Sequence, residues 1–309
     1  MKQIQFTGND GTFCLKQPED TSYLYFPVAN ELGLKSVVTP VLGGDSKLSQ
    51  NTFLLEPVSA ENLHNNRSTR NFWCQIEGKG IWSATGVSVE AEWQRVSGNP
   101  EKTALQANLM HQRVTRISEK YGLEAQINFF AALDHNVEIM QVKIRNLEET
   151  PCRFVPVAAV PIYGRSADNI RDHRHVTSLL HRISVEKYGV RVKPTLSFDE
   201  RGHQENHMIY YVYGVNGEGK EPEAFFPTVE DFIGEGGSFT MPKAILENRQ
   251  GVSAGTVAAG KEAMGGLKFS PVSLEKGEMA TYLIFLGATE KEEEIDEVVR
   301  MYGTEELAE

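Results

Sequence analysis

The stretch Leu123-Glu-Ala-Gln-Ile-Asn-Phe129 decides the fold class. Successive side chains of an extended strand point to opposite faces, so Leu123, Ala125, Ile127 and Phe129 share one side and Glu124, Gln126 and Asn128 the other. That is the signature of a strand with one buried face. Met140-Gln-Val-Lys-Ile-Arg145 repeats it, Asn146 to Pro151 supplies a turn, and Phe154 to Ile162 follows as a nearly continuous apolar run. A run of that kind predicts a strand covered on both sides. Further strands are expected at Ser178 to Val185, Val190 to Phe198, Met208 to Val215 and Met279 to Gly287, punctuated by turns such as Asn216-Gly217 and Lys276-Gly277. Between Gly80 and Leu286 almost no helical period appears, which predicts an all-β chain of two broad antiparallel sheets packed face to face.

The C-terminal end reads differently. Ile295, Val298, Val299 and Tyr302 recur at i, i+3, i+4 and i+7 behind a glutamate-rich first turn, the pattern of an amphipathic helix with acid at its positive end. This divides the chain into a sandwich over 1–288 and a helical segment over 289–309. The stripe either docks on the sandwich or leads into a further domain.

Composition narrows the function. The 309 residues carry 31 basic and 42 acidic side chains, a net charge of −11, so the surface as a whole repels phosphate backbones and nucleic acid is not the expected partner. No stretch is apolar enough to span a bilayer. Cys14, Cys74 and Cys152 are far apart and odd in number, and the N-terminus lacks the apolar run of a secretory signal. A reducing, cytoplasmic setting is expected.

The chemistry-bearing segment is Tyr163-Gly-Arg-Ser-Ala-Asp-Asn-Ile-Arg-Asp-His-Arg-His175, followed by His181 and Arg182. Guanidinium and imidazole groups this dense repel one another unless carboxylates or an anionic or hydroxyl-rich ligand intervene. One reading is an internal network in which Asp168 and Asp172 neutralise Arg171 and Arg174. The other is a polar-ligand loop. His173, His175 and His181 make a poor zinc site, because Arg171, Arg174 and Arg182 oppose a dication. His203 and His207 lack the glutamate of a metalloprotease helix and read as surface loop residues.

Asn65-Asn-Arg-Ser-Thr-Arg-Asn-Phe-Trp-Cys74 and Trp82 combine amides, arginines and aromatics, the means by which sugars are held, although Trp73 and Trp82 fit a core equally well. Gly78-Lys-Gly80 and Gly234-Glu-Gly-Gly237 open no helix after a strand, so neither is a phosphate loop. No nucleophile elbow or Cys-His pair is present, and no carboxylate pair stands out.

Taken together, Arg67-Ser-Thr-Arg-Asn-Phe-Trp73, Trp82-Ser-Ala-Thr-Gly86, Tyr163 to His175 and Phe232-Ile-Gly-Glu-Gly-Gly-Ser-Phe239 resemble the N-terminal region of inverting glycoside phosphorylases of the cellobiose phosphorylase type, glycosyltransferase family 36 or glycoside hydrolase family 94. The resemblance runs from about Asn65 to Leu286. It implies a β-supersandwich of the galactose-mutarotase-like kind, a linker helix, and an (α/α)6 barrel carrying the general acid, which is expected to lie outside this chain. It further implies a homodimer in which a loop of one subunit reaches the acceptor sugar bound by the other.

Carried over residue by residue, that loop is Arg165, Asp168, Asn169, Arg171, Asp172, His173, Arg174 and His175, with Arg171 and Arg174 best placed to meet hydroxyls. The expected partner is a β-linked oligosaccharide. Inorganic phosphate is the expected co-substrate, and no cofactor or metal is expected. The competing readings are a stand-alone carbohydrate-binding module and an aldose epimerase using His173 and Asp172.

Overall fold

A computed structural model describes residues 4–21, 24–58, 67–171, 174–199 and 202–305. Its backbone is dominated by an 11-stranded sheet and a 6-stranded sheet laid face to face, with a 4-stranded sheet beside them. Every strand pair is antiparallel in the large sheet, whose centre is Leu123–Ala131, Val137–Asn146, Met279–Thr289 and Ile209–Asn216. The smaller sheet is centred on Cys152–Ile162, flanked by Ala263–Lys268 and Asn71–Ile76.

The apolar alternation from Leu123 to Phe129 sets the packing. Leu123, Ala125, Ile127 and Phe129 all enter the main core, where they share a cluster with Phe154, Ala158, Val160 and Ile162 of the smaller sheet. The opposite residues of Cys152–Ile162, Val157 and Ala159, belong to a second cluster with Trp73, Phe226, Phe232 and Phe239. Short helices at Val229–Ile233 and Lys243–Leu246 cap that cluster, so the strand is covered on both faces, as its unbroken apolar run requires.

At Gly265 the facing sheet leaves no room for a side chain. A Cβ built on Gly265 would lie 2.3 Å from Cβ of Val212 in the large sheet. Glycine is therefore what the sheet separation demands at this point.

The far face of the large sheet is covered by the terminal helix, Glu292–Tyr302. Ile295 and Val298 are buried against Ile139, Tyr211, Tyr213 and Phe285, with Val299 and Tyr302 alongside. Burying each such aliphatic side chain stabilises the docked helix by about 1.5–3 kcal/mol. Its first turn adds electrostatic support, since Glu292 meets Arg191 at 3.3 Å and also pairs with Lys193. Those cations hold the Glu292 carboxyl below the ordinary carboxylate range.

Three expectations differ from the observed elements. Ser178 closes a short helix, Arg174–Ser178, and the strand expected to begin there starts at His181. The expected strand Val190 to Phe198 is two strands, Gly189–Pro194 and Leu196–Asp199; the second pairs with Gly202–Glu205 in a separate hairpin that carries His203. A helix at Val89–Val96 has no counterpart in the sequence reading. Its apolar residues Val89, Trp93 and Val96 face solvent, so the stripe that ordinarily reveals a helix points away from the core.

Candidate functional site

The arginine-rich segment leaves the smaller sheet at the end of Cys152–Ile162 and re-enters the large sheet at His181–Glu186. Its root is fixed by backbone. Tyr163 and Gly164 donate their N–H groups to Leu54 and Phe53 carbonyls at 2.8 and 3.1 Å, and Phe53 N–H returns a bond to the Arg165 carbonyl at 3.0 Å. Phe53 belongs to the 4-stranded sheet, so three sheets meet here. Gly164 adopts φ +60, where a Cβ would be strained and would press on the Tyr210 ring at 3.3 Å, with His181 in ordinary contact at 3.6 Å.

Arg165 is 5% exposed. Its guanidinium lies 5.2 Å from the Tyr163 ring centroid, and Nη2 donates to Glu262 Oε1 at 2.9 Å. Strand register explains the pair: Ile162 sits opposite Ala263, so residues 165 and 262 leave the same end of one antiparallel ladder. Glu262 is the partner that sequence reasoning missed, because nothing local links positions 97 residues apart.

Beyond the root, Ala167 N–H reaches the Gln50 carbonyl at 3.0 Å and the Tyr163 hydroxyl donates to the Ser166 carbonyl at 3.2 Å. Ser166 Oγ accepts from Asp168 N–H at 3.3 Å and opens the 3-10 turn Ala167–Arg171. Asp168 and Ile170 face solvent, whereas Asn169 between them is buried. Arg171 ends this turn, and Arg174 and His175 begin the helix Arg174–Ser178. Asp172 and His173 lie outside the described residues.

On the returning side Thr177 and Ser178 are buried, while Val176 and Leu179 are exposed. The Leu180 carbonyl accepts from Thr195 N–H at 3.0 Å, and the His181 carbonyl accepts from Gly260 N–H at 3.1 Å. The arm between Arg165 and His181 is thus pinned to rigid sheet at both ends.

His181 itself is fully buried. Burial above all, and then the neighbouring Arg165 guanidinium, pushes its imidazole down to about 3, against a smaller opposing pull from the Lys261 and Tyr163 carbonyls. Neither ring nitrogen makes a hydrogen bond of good geometry, so those carbonyls act on it as nearby dipoles. The group is a neutral histidine of the core beneath the arm. Among the described residues no set of His, Cys, Asp and Glu side chains is arranged to hold a metal.

The second sequence candidate, residues 65–74, is a core element over its described part. Asn65 and Asn66 lie outside the described residues. Arg70 is 1% exposed and bonds Glu138 through Nε and Nη2, both at 2.7 Å, with its Nη1 on the Gly44 carbonyl at 2.9 Å. Ser36 also donates to Glu138, and the Phe129 ring lies 5.0 Å from the guanidinium. Trp73 and Trp82 are 0% and 4% exposed and offer no stacking face. The solvent-facing tryptophan is Trp93, which the sequence reading did not single out.

Comparisons with known proteins bear on this arrangement. The profile of the glycosyl hydrolase 94 supersandwich domain matches residues 48–305. Among solved structures, a bacterial glucoamylase complexed with acarbose superposes on the whole chain at 8% identity with a TM-score of 0.50. This chain covers 37% of the length of that glucoamylase. A putative aldose 1-epimerase from Escherichia coli K12 covers 86% of this chain at 10% identity and TM-score 0.45, with 99% of its own length matched. An aldose epimerase homologue from C. elegans does so at 12% identity, with 98% of its length matched and the same TM-score. The comparison with curated proteins found no match. With its profile match running through both large sheets and the terminal helix, the chain belongs to the glycosyl hydrolase 94 supersandwich-domain family.

Proposed function

We propose that this chain is the substrate-shaping, dimer-forming domain of a glycoside phosphorylase that cleaves β-linked glucosyl di- or oligosaccharides with inorganic phosphate. In that reaction a phosphate oxygen attacks the anomeric carbon while a carboxylic acid of a separate (α/α)6 domain protonates the departing sugar oxygen, so one displacement inverts configuration. No cofactor takes part. The role of this chain is to hold the arm of residues 165–175 against the acceptor sugar of the adjacent subunit, where Arg171 and Arg174 offer forked donors to hydroxyls. Asp168 is the solvent-facing carboxylate of the described arm and is assigned to the same sugar. Helix Glu292–Tyr302 is read as the linker towards the catalytic domain.

The observation that carries this reading is the family match over residues 48–305, which includes the entire arm. The free thiols Cys14, Cys74 and Cys152 agree with a cytoplasmic enzyme. The test is direct. The complete gene product, supplied with phosphate and a panel of β-glucosides, is expected to release a sugar 1-phosphate from at least one of them. Release of free sugar only, or no release from any, would overturn the proposal.

A further inference from the structure

Arg165 carries a positive charge that is nearly sealed from water, at the point where three sheets meet and the arm begins. A buried guanidinium is tolerated only where a carboxylate answers it. Among the described residues Glu262 is the carboxylate bonded to it, and Arg165 Nε has no hydrogen-bond partner of its own. The arm's first ionic fastening therefore depends on one acidic side chain, 97 residues later in the chain and just ahead of a strand of the smaller sheet.

Glu262 is itself held on a rigid frame. Its carbonyl accepts from Val229 N–H at 2.9 Å, tying it to the helix Val229–Ile233, and Lys261 beside it pairs with Glu230 of that helix at 2.8 Å. The next residue, Ala263, starts the strand paired with Cys152–Ile162. His181, where the arm re-enters the large sheet, is neutral, so it adds no further charge beside Arg165 and Glu262. Gly260, two residues before Glu262, binds the His181 carbonyl. The segment 260–262 thus touches both ends of the arm, one through a backbone bond and the other through an ion pair.

We infer that Glu262 is a positioning residue for the acceptor sugar: through Arg165 it fixes where the arm stands, without touching the sugar. This rests on the proposed role of the arm, and it assigns to Arg165 and Glu262 the fastening, leaving sugar contact to residues further along. A carboxylate lost from this pair leaves a buried guanidinium unanswered, which drives the root to open towards water.

The experiment is Glu262→Gln in the complete enzyme, read by hydrogen–deuterium exchange of the peptide covering residues 166–180 and by phosphorolysis kinetics. Exchange in that peptide is expected to quicken about ten-fold or more, with the sheets unchanged. The acceptor KM, measured in the synthetic direction, is expected to rise at least about five-fold while kcat and the phosphate KM hold within about two-fold. Unchanged exchange would overturn the inference whatever the kinetics. Faster exchange with unchanged acceptor KM would uphold the fastening but overturn the arm's proposed contact with the acceptor. Should the single variant unfold, Arg165→Gln combined with Glu262→Gln removes both charges of the pair and is read by the same two measurements.

Discussion

Acidification tests the arrangement beneath the arm most sharply. His181 is fully buried and its imidazole is pushed down to about 3, whereas in the unfolded chain it returns to its ordinary value of about 6.5. A base whose folded value is depressed binds fewer protons in the native state. The stability it permits is complete above about pH 6.5 and is lost as pH falls towards the folded value near 3. At about pH 5 the unfolded chain is favoured by 1.5 pH units of proton binding, about 2 kcal/mol at 1.36 kcal/mol per unit. The assay is urea unfolding of the wild type and of His181→Gln near pH 8 and near pH 5. Carboxylates elsewhere titrate equally in both proteins, so the difference between their losses isolates His181. The wild type is expected to lose about 2 kcal/mol more than the variant, with m-values unchanged. Equal losses would show that His181 takes up its proton freely in the folded protein, and the buried, neutral group would have to be abandoned.

Other outcomes follow from single contacts. Glu138→Ala is expected to destabilise the chain by about 3–5 kcal/mol in urea, because it strands Arg70 in the core, whereas Arg70→Met with Glu138→Leu should cost far less; equal costs would refute a charge-specific effect. Gly265→Ala forces a methyl group against Val212 and is expected to cost about 1–3 kcal/mol and lower Tm; a neutral result would mean that the sheets separate easily. In the complete enzyme, Arg171→Ala or Arg174→Ala is expected to weaken use of the acceptor sugar by about 1–3 kcal/mol in kcat/KM, with little change for phosphate. Acceptor kinetics equal to wild type would remove those arginines from the site.

Much of this fold is legible in the chain itself because a strand's inside and outside are written at every second residue. Leu123 to Phe129 needs no knowledge of its neighbours to declare one buried face, and Phe154 to Ile162 declares two. The terminal helix is equally plain, since its stripe is spent on the core. Helix Val89–Val96 is not, because a helix held by its Ser88 cap and its neighbours, with Trp93 turned to water, leaves no core-facing period to read. Trp73 and Trp82 were compatible with a sugar platform or a core on sequence grounds, and only their burial separates the two.

The arginine-rich segment marks the same division. Its composition announces that charge must be balanced somewhere, and the local aspartates were the natural partners to expect. Those aspartates were expected to answer Arg171 and Arg174; Arg165 is answered by Glu262, and Arg70 by Glu138, across 97 and 68 positions of chain. Local sequence determined the strands, the turns and the density of cations at the arm. Which carboxylate faces which guanidinium, which histidine stays neutral and which tryptophan meets solvent were decided by strand register and sheet stacking, because those alone bring distant positions within the few ångströms over which hydrogen bonds and buried charges act.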